Sequence, residues 1–452
     1  MALEKTRTKT EKLLEEDERY IGAANKVRLF LAAAASANGS TITDLDGKRY
    51  LDFGGGWAVA TTGYSHPRVV DAVSSAMEQL SFSTLATLTH PYVVDLAKRL
   101  LEVVPSAKSG HRKVGFGLSG SDANDGISKL LPMARKRPKM ISFLGGMHGM
   151  TGAAAGVSGH PALGRFPSTT HVTRVPYPYP YRPAIGSAES CGLDAVRFIE
   201  DQILTTVSPP EHTSGILVEA IQSDAGVIVP PPDFMPALRA LCDKYDLFLV
   251  VDEVKVGMGR TGKLWACQLT GTDPDVMIIG KGVASGLSMS ATVAPAEILD
   301  VMAAGHAFTT AGAPIACAAA LATLDVLRDE KLADNAAEQG EFIMRGLKEL
   351  ASRHPLVGEV RGAGLIIGVE LVRDRATKEP AAKECAKLVV RCQQLGLVIH
   401  YVGIFSNVVE ITPPLILRRE EATSALEIFD RALNDVEQGK VSDAELEAIS
   451  GW

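Results

Sequence analysis

Asp275-Val-Met-Ile-Ile-Gly-Lys281-Gly282 is the stretch that decides how this chain is read. An apolar run ends at a glycine, a single lysine follows, and a loop rich in Ser and Gly then spans Ala284 to Ser290. A short apolar run bounded by turn residues predicts a buried strand, so the pattern carries an amine out of a sheet onto a small-residue loop. Partial desolvation lowers the pKa of such an amine and suits it to form a Schiff base. A surface lysine just past a strand end would be spelled the same way. Upstream, Ser214 to Glu219 and Leu247 to Asp252 are further apolar runs, each ending in a carboxylate. Helices between them, such as Asp233 to Tyr245, give the βαβ rhythm of a mostly parallel sheet. Ligands of such sheets sit beyond the strand C-termini, where Glu219, Asp252 and Lys281 all fall. That convergence favours the functional reading of Lys281.

Working outward, Arg112 to Leu118 reads as a strand, followed by Ser119-Gly-Ser-Asp-Ala-Asn124 and a helix to about Lys136. Strand, small polar turn and helix N-terminus make a phosphate cradle, although Ser-Gly-Ser-Asp is also an ordinary N-cap. Met140 to Leu144 is another strand, leading into Gly145-Gly-Met-His-Gly-Met150. Thr41 to Asp52 alternates around an Asp-Gly pair, a hairpin signature. It leads into Phe53-Gly-Gly-Gly-Trp57, where the aromatic is either a pocket wall or core packing. Helices are expected from Pro67 to about Leu80 and from Tyr92 to Val103, and an extended loop over Pro176 to Pro183 (PYPYPYRP).

Past about Ala311 the pattern changes. Long helices are expected to Leu327 and over Asp334 to Arg353, with short strands at 357–361, 364–371, 397–400 and 408–412 and a closing helix over 423–438. This divides the chain into an N-terminal arm with part of a small domain (1–60), a large domain (61–315) and a smaller α+β domain (316–452). Residues 4–20 have helical composition with charge on most faces, and are marginal as an isolated helix. They are expected to lie on another surface, such as a partner subunit.

Composition narrows the classes. The chain has 452 residues, 46% hydrophobic, with 42 Gly, 24 Pro and a formal charge of −7. These values fit a soluble α/β enzyme and make no electrostatic case for nucleic acid or an anionic membrane. The six cysteines are scattered without a CxxC pair, which suggests reduced thiols in a cytoplasmic protein and no metal cluster. The charged N-terminus does not read as a signal peptide, and Leu29 to Ala37 is too short to span a bilayer.

A strand-borne aspartate and a lysine after the next strand suit a pyridoxal phosphate site. Lys281 would hold the aldehyde, Asp252 the protonated ring nitrogen, and Ser119-Gly120-Ser121 the phosphate. From about residue 40 to 435 the chain resembles the class III aminotransferase family. The matching motifs are SGSDAND at 119–125, MHG at 147–149, EAIQ at 219–222, DEVKVGMGRTG at 252–262, Lys281, and FTTAGAP at 308–314. That resemblance implies the fold type I, aspartate aminotransferase-like architecture: a large, mostly parallel seven-stranded sheet domain and a smaller α+β C-terminal domain. It also implies that Asp252 pairs with the ring nitrogen, Gln222 contacts the ring hydroxyl, and Gly120 and Ser121 bind phosphate. Met147 and His148 would lie against the ring, and Thr309 would be contributed by the second subunit of a homodimer with shared active sites.

The departures from the family pattern point to a particular chemistry. Aminotransferases usually place an arginine before the Pro-Pro-Leu of the last domain, where it forks onto a substrate carboxylate. Here that position is Glu410, in Glu410-Ile-Thr-Pro-Pro-Leu415. A glutamate there disfavours a carboxylate, unless it is an exposed strand residue and Arg182 or Arg361 serves instead. Lys255 stands where Gln is commoner, and Asp224 adds a carboxylate two residues after Gln222. With GGGW, PYPYPYRP, His400-Tyr-Val-Gly403 and the terminal Gly451-Trp452, these features resemble the α-amino-ε-caprolactam racemase and isoleucine 2-epimerase branch. Met147 departs from that branch, which carries an aromatic there, and methionine cannot move a proton.

The expected activity is therefore racemisation at the α-carbon of an α-amino lactam or amino acid amide. Lys281 serves one face and Asp224 the other, with Lys255 tuning Asp224. Asp224 could instead hydrogen-bond a lactam or amide nitrogen, and Trp57 and the Tyr177–Tyr181 loop would wall the pocket. The alternatives are an aminotransferase, an epimerase of free amino acids, or a cofactor-binding regulator that has lost catalysis.

Overall fold

The computed structural model describes residues 7–166, 170–447 and 449. Positions 4–6 of the expected arm helix and the Gly451-Trp452 terminus lie outside the described residues. A seven-stranded sheet forms the centre, in the order Arg112–Gly117, Ser290–Pro295, Val276–Ile279, Phe248–Asp252, Thr213–Val218, Lys139–Phe143, Val172–Val175. Only Ser290–Pro295 runs antiparallel to its neighbours. The inner strands are fully buried along their length, which is why they read as continuous apolar runs rather than alternating ones. Ser290–Pro295 was not expected: its Ser-Ala-Thr-Val-Ala-Pro sequence is mostly small residues, and the expected loop ended where the strand begins.

The expected helices are present as Pro67–Gln79, Pro91–Val103, Gly120–Arg135, Phe234–Lys244, Pro314–Asp329 and Leu332–Arg353. The closing helix starts earlier than expected, at Arg419, because the Glu421 carboxylate accepts from the Arg418 N–H and caps that end. The hairpin Thr41–Asp44 and Arg49–Asp52 forms, joined on one side by Ala34–Asn38 and on the other by Leu397–Val398. The strand expected over 397–400 is in fact divided. Leu397–Val398 pairs parallel with Leu51 and Asp52, whereas His400–Val402 pairs antiparallel with Val408–Ile411 in a separate sheet. The chain changes sheets at Ile399, and this brings the N-terminal hairpin beside the C-terminal strands.

Helix Lys9–Tyr20 begins on its own chain. The N–H groups of Lys9 and Thr10 donate to the Asp46 carboxylate in the hairpin turn at 2.9 and 3.1 Å. Those bonds hold Asp46 down to about 2, with the Thr10 side chain contributing most. The arm is therefore seated in cis, not on a partner subunit at these contacts. No helix among the described residues is long and apolar enough to cross a membrane.

Candidate active site

Asp252 ends its strand, Glu219 follows its own, and Lys281 lies just past Ile279, so all three reach the C-terminal edge of the sheet. Lys281 takes φ 40° in a tight turn over Lys281–Ala284. There the side chain is half-buried in the wall of a cavity of about 650 Å³ that it shares with Asp252, Asp224, Ser121 and Trp57. Burial, helped by the Lys255 charge, holds the Lys281 amine below the ordinary lysine range.

Strand, small polar turn and helix N-terminus follow one another over Arg112–Gly117 and Gly120–Arg135, in the expected order. Ser119 is extended at φ −158°, and its hydroxyl accepts from the Asp122 N–H, capping helix Gly120–Arg135. The amides of Gly120 and Ser121 precede the first intrahelical bond. Gly120 is required by crowding: a Cβ there would lie 2.6 Å from Val254 Cγ1. The Ser121 hydroxyl accepts from the Met150 N–H at 3.1 Å, tying the MHG loop to the cradle.

Asp252 is the most heavily supported acid in the site. Its Oδ2 accepts from Asn124 Nδ2 at 2.9 Å and lies 2.8 Å from His148 Nδ1, and its Oδ1 accepts from the Val254 N–H at 3.0 Å. Burial works against the His148 charge, but the hydrogen bond and charge of Asp252 win and raise its pKa. The His148 ring and the Asn124 amide together fix the orientation of the Asp252 carboxyl. Asn124 was not singled out by the sequence reading, although it stands four residues after Gly120 and donates back to that carbonyl at 3.1 Å.

Gln222 does not line the cavity. Its Nε2 donates to the Leu144 carbonyl at 3.0 Å, while its Oε1 is buried without a partner. Met147 lines the cavity, with its N–H on Glu219 Oε1 at 3.0 Å. Burial pushes the Glu219 carboxyl up to about 7. Thr309 is exposed and outside the cavity.

Lys255 and Glu410 sit one layer behind the wall. Lys255 Nζ is 3.2 Å from Asp224 Oδ1 and 2.9 Å from Glu410 Oε1, and Ser223 Oγ donates to the same Glu410 oxygen at 2.6 Å. Glu410 is fully buried, which overturns its reading as an exposed strand residue, and it is not among the residues that line the cavity. Burial opposes the Lys255 charge, but Asp224 and Glu410 raise its pKa overall. Conversely, burial raises Asp224, and Lys255 with Lys281 outweighs it, leaving a lowered carboxylate. Lys255→Met would strand two carboxylates in the interior. It is expected to cost about 3–5 kcal/mol of stability, read by chemical denaturation.

The arginine alternatives fail on position. Arg182 Nε is 2.6 Å and Arg361 Nη1 2.7 Å from Glu370, and no arginine lines the cavity among the described residues. The tyrosines expected as walls are also elsewhere. Tyr177 donates to the Glu219 carbonyl at 3.0 Å and Tyr179 to Glu370, so both are buried packing rather than cavity lining.

Trp57 is a wall, and its backbone is unusual. Gly55, Gly56, Trp57 and Ala58 have φ of 55°, 58°, 62° and 63°, one left-handed helical turn. Each non-glycine residue held there costs about 1–2 kcal/mol. The buried Asp52 compensates by accepting from the Gly54 and Gly55 N–H groups at 2.8 and 3.0 Å and from the Tyr64 hydroxyl at 2.7 Å. Gly54 also makes room for His400, since a Cβ would lie 2.2 Å from its Cε1. Gly54→Ala is therefore expected to destabilise the protein by about 1–3 kcal/mol, measured by urea unfolding.

The sequence model described as Aminotransferase class-III matches residues 22–433. An alanine/serine racemase of Pyrococcus horikoshii is 37% identical, covering 96% of this chain and 92% of that protein. An isoleucine 2-epimerase of Lentilactobacillus buchneri is 33% identical, covering 98% and 99%. Among solved structures, an amine transaminase from an uncultivated Pseudomonas species, in its pyridoxal phosphate-bound form, superposes with a TM-score of 0.83. It is 29% identical, with 90% of this chain and 95% of that one covered. The residues present fit that cofactor: a helix N-terminus with a glycine floor for a phosphate, a braced carboxylate for a ring nitrogen, and a low-pKa amine. The chain belongs to the class III aminotransferase family, whose enzymes work with pyridoxal 5′-phosphate.

Proposed function

We propose that the protein racemises the α-carbon of an α-amino amide or lactam, as a cytoplasmic homodimer in which Thr309 reaches the partner's site. The observation that carries this reading is the cavity wall itself. Beside Asp252 and His148, it holds Lys281 and Asp224, two groups that can exchange a proton with a substrate, and no arginine among the described residues. When bound, pyridoxal phosphate acidifies the α-hydrogen of an amine joined to it. Gly120 and Ser121 would hold its phosphate, Asp252 its ring nitrogen and Lys281 its aldehyde. Met147 and His148 would lie against its ring.

Lys281 Nζ then takes or returns the α-proton on one face, and its lowered pKa leaves it free as a base. The Asp224 carboxylate, kept ionised by Lys255, serves the other face. Met147 contributes apolar contact only. A neutral amide carbonyl suits a wall bearing Asp224 better than a second carboxylate does, and Glu410 supports this by occupying the Lys255 ammonium. The name of the alanine/serine racemase relative favours a second reading, in which free amino acids are inverted.

The test is chiral chromatography of L-α-amino-ε-caprolactam, alaninamide and free alanine in D₂O, with no keto acid. Appearance of the D form of the lactam or amide carrying α-deuterium supports the reading, and inversion of alanine alone supports the second. Products that form only when 2-oxoglutarate or pyruvate is added would identify an aminotransferase.

A further inference from the structure

The sheet edge formed by His400–Val402 and Val408–Ile411 pairs His400 directly with Glu410. Glu410 backs Lys255. His400 backs Trp57: the two rings are parallel to within 4°, with centroids 4.3 Å apart. Phe30 lies 5.3 Å from His400 at a tilt, and Gly54 clears the space that His400 fills. His400 is 4% exposed, its Nδ1 has no partner, and burial together with the Lys255 charge pushes its pKa down to about 3. A neutral imidazole lies flat on an indole without bringing a second cation beside Lys255, whose Nζ is 5.3 Å from the Trp57 ring centre. Trp57 cannot relax by rotating its backbone, because the left-handed turn fixes it. Its plane is therefore decided by what it leans on.

We propose that His400 is a positioning residue that sets the plane of Trp57 and thereby which substrate side chains the cavity admits. The proposal rests on Trp57 being a wall of the substrate site. It requires that removing the stacked ring change discrimination between side chains more than it changes turnover.

The test uses the holoenzyme with alaninamide and leucinamide, and free alanine and leucine in parallel. In His400→Leu the leucine-to-alanine ratio of kcat/KM is expected to shift at least ~5-fold, mostly through KM. His400→Phe keeps a flat ring and is expected to stay within about 2-fold of wild type. In a Trp57→Ala background, His400→Leu is expected to add less than about 2-fold, because both changes act through one ring.

A readout independent of turnover is the near-ultraviolet circular dichroism of Trp57, defined as the difference between wild type and Trp57→Phe. His400→Leu is expected to lose most of that band and His400→Phe to keep it. His400→Gln replaces the leucine variant should the latter fail to fold. An unchanged ratio with an unchanged band, or an equal shift with and without Trp57, overturns the proposal. If only free amino acids are inverted, the amide reading fails while the ratio on alanine and leucine still decides the role of His400. If nothing is inverted, the dichroism band decides alone.

Discussion

Lys281→Ala is expected to reduce exchange of the substrate α-hydrogen with solvent by about 10³-fold or more, the range for removing a positioned base that also anchors the reacting molecule. The side chain lines the cavity at the sheet edge, and its amine is held below the ordinary lysine range by burial and by Lys255. The sign of the pH effect follows: the unprotonated base persists to lower pH than for a free lysine, so the rise of activity with pH falls below that range. Proton exchange measured in D₂O by mass spectrometry checks the loss. Partial rescue by added methylamine shows that an amine is what is missing, rather than the fold. Retention of more than a tenth of the exchange would remove Lys281 from the chemistry.

Asp224→Asn separates the two faces. Asparagine keeps the size and polarity of the side chain but cannot take up a proton. Lys255 retains Glu410 at 2.9 Å, so the buried cluster keeps one ion pair. Inversion is expected to fall by about 10²–10⁴-fold, while one enantiomer still exchanges its α-hydrogen with retention of configuration. Chiral chromatography coupled to deuterium counting reads both quantities in one sample. Equal loss of exchange and inversion would mean that Asp224 orients the substrate instead, as a hydrogen-bond partner of an amide or lactam nitrogen.

The parts of the site legible in the sequence are those whose geometry is local. Ser119 caps a helix three residues ahead of Asp122, and Asp252 and Lys281 each follow a buried run, so strand and cap rules place them. What the reading missed depends on contacts between distant segments. Asn124, from a helix, and His148, from the MHG loop, converge on Asp252. Lys255 pairs with Asp224 as expected, but its second carboxylate, Glu410, comes from a distant strand. Tyr177 and Tyr179 look like pocket walls in an extended Pro-rich loop, but long-range hydrogen bonds turn them inward. The strand Ser290–Pro295 carries small residues with little β signal, and is recruited by neighbours on both sides. The left-handed turn at Gly55–Ala58 is only hinted at by its glycines.

That turn changes how the pocket can diversify. Widening a binding site normally erodes a protein, because trimming a large wall residue gives up packing. At position 57 the same trimming, carried as far as glycine, removes a side chain from a backbone that L-residues resist. Part of the lost contact with His400 is returned as released backbone strain. This wall can therefore be remodelled with less loss of robustness than its neighbours, which makes it a natural hinge point between descendants that handle small substrates and those that handle large ones.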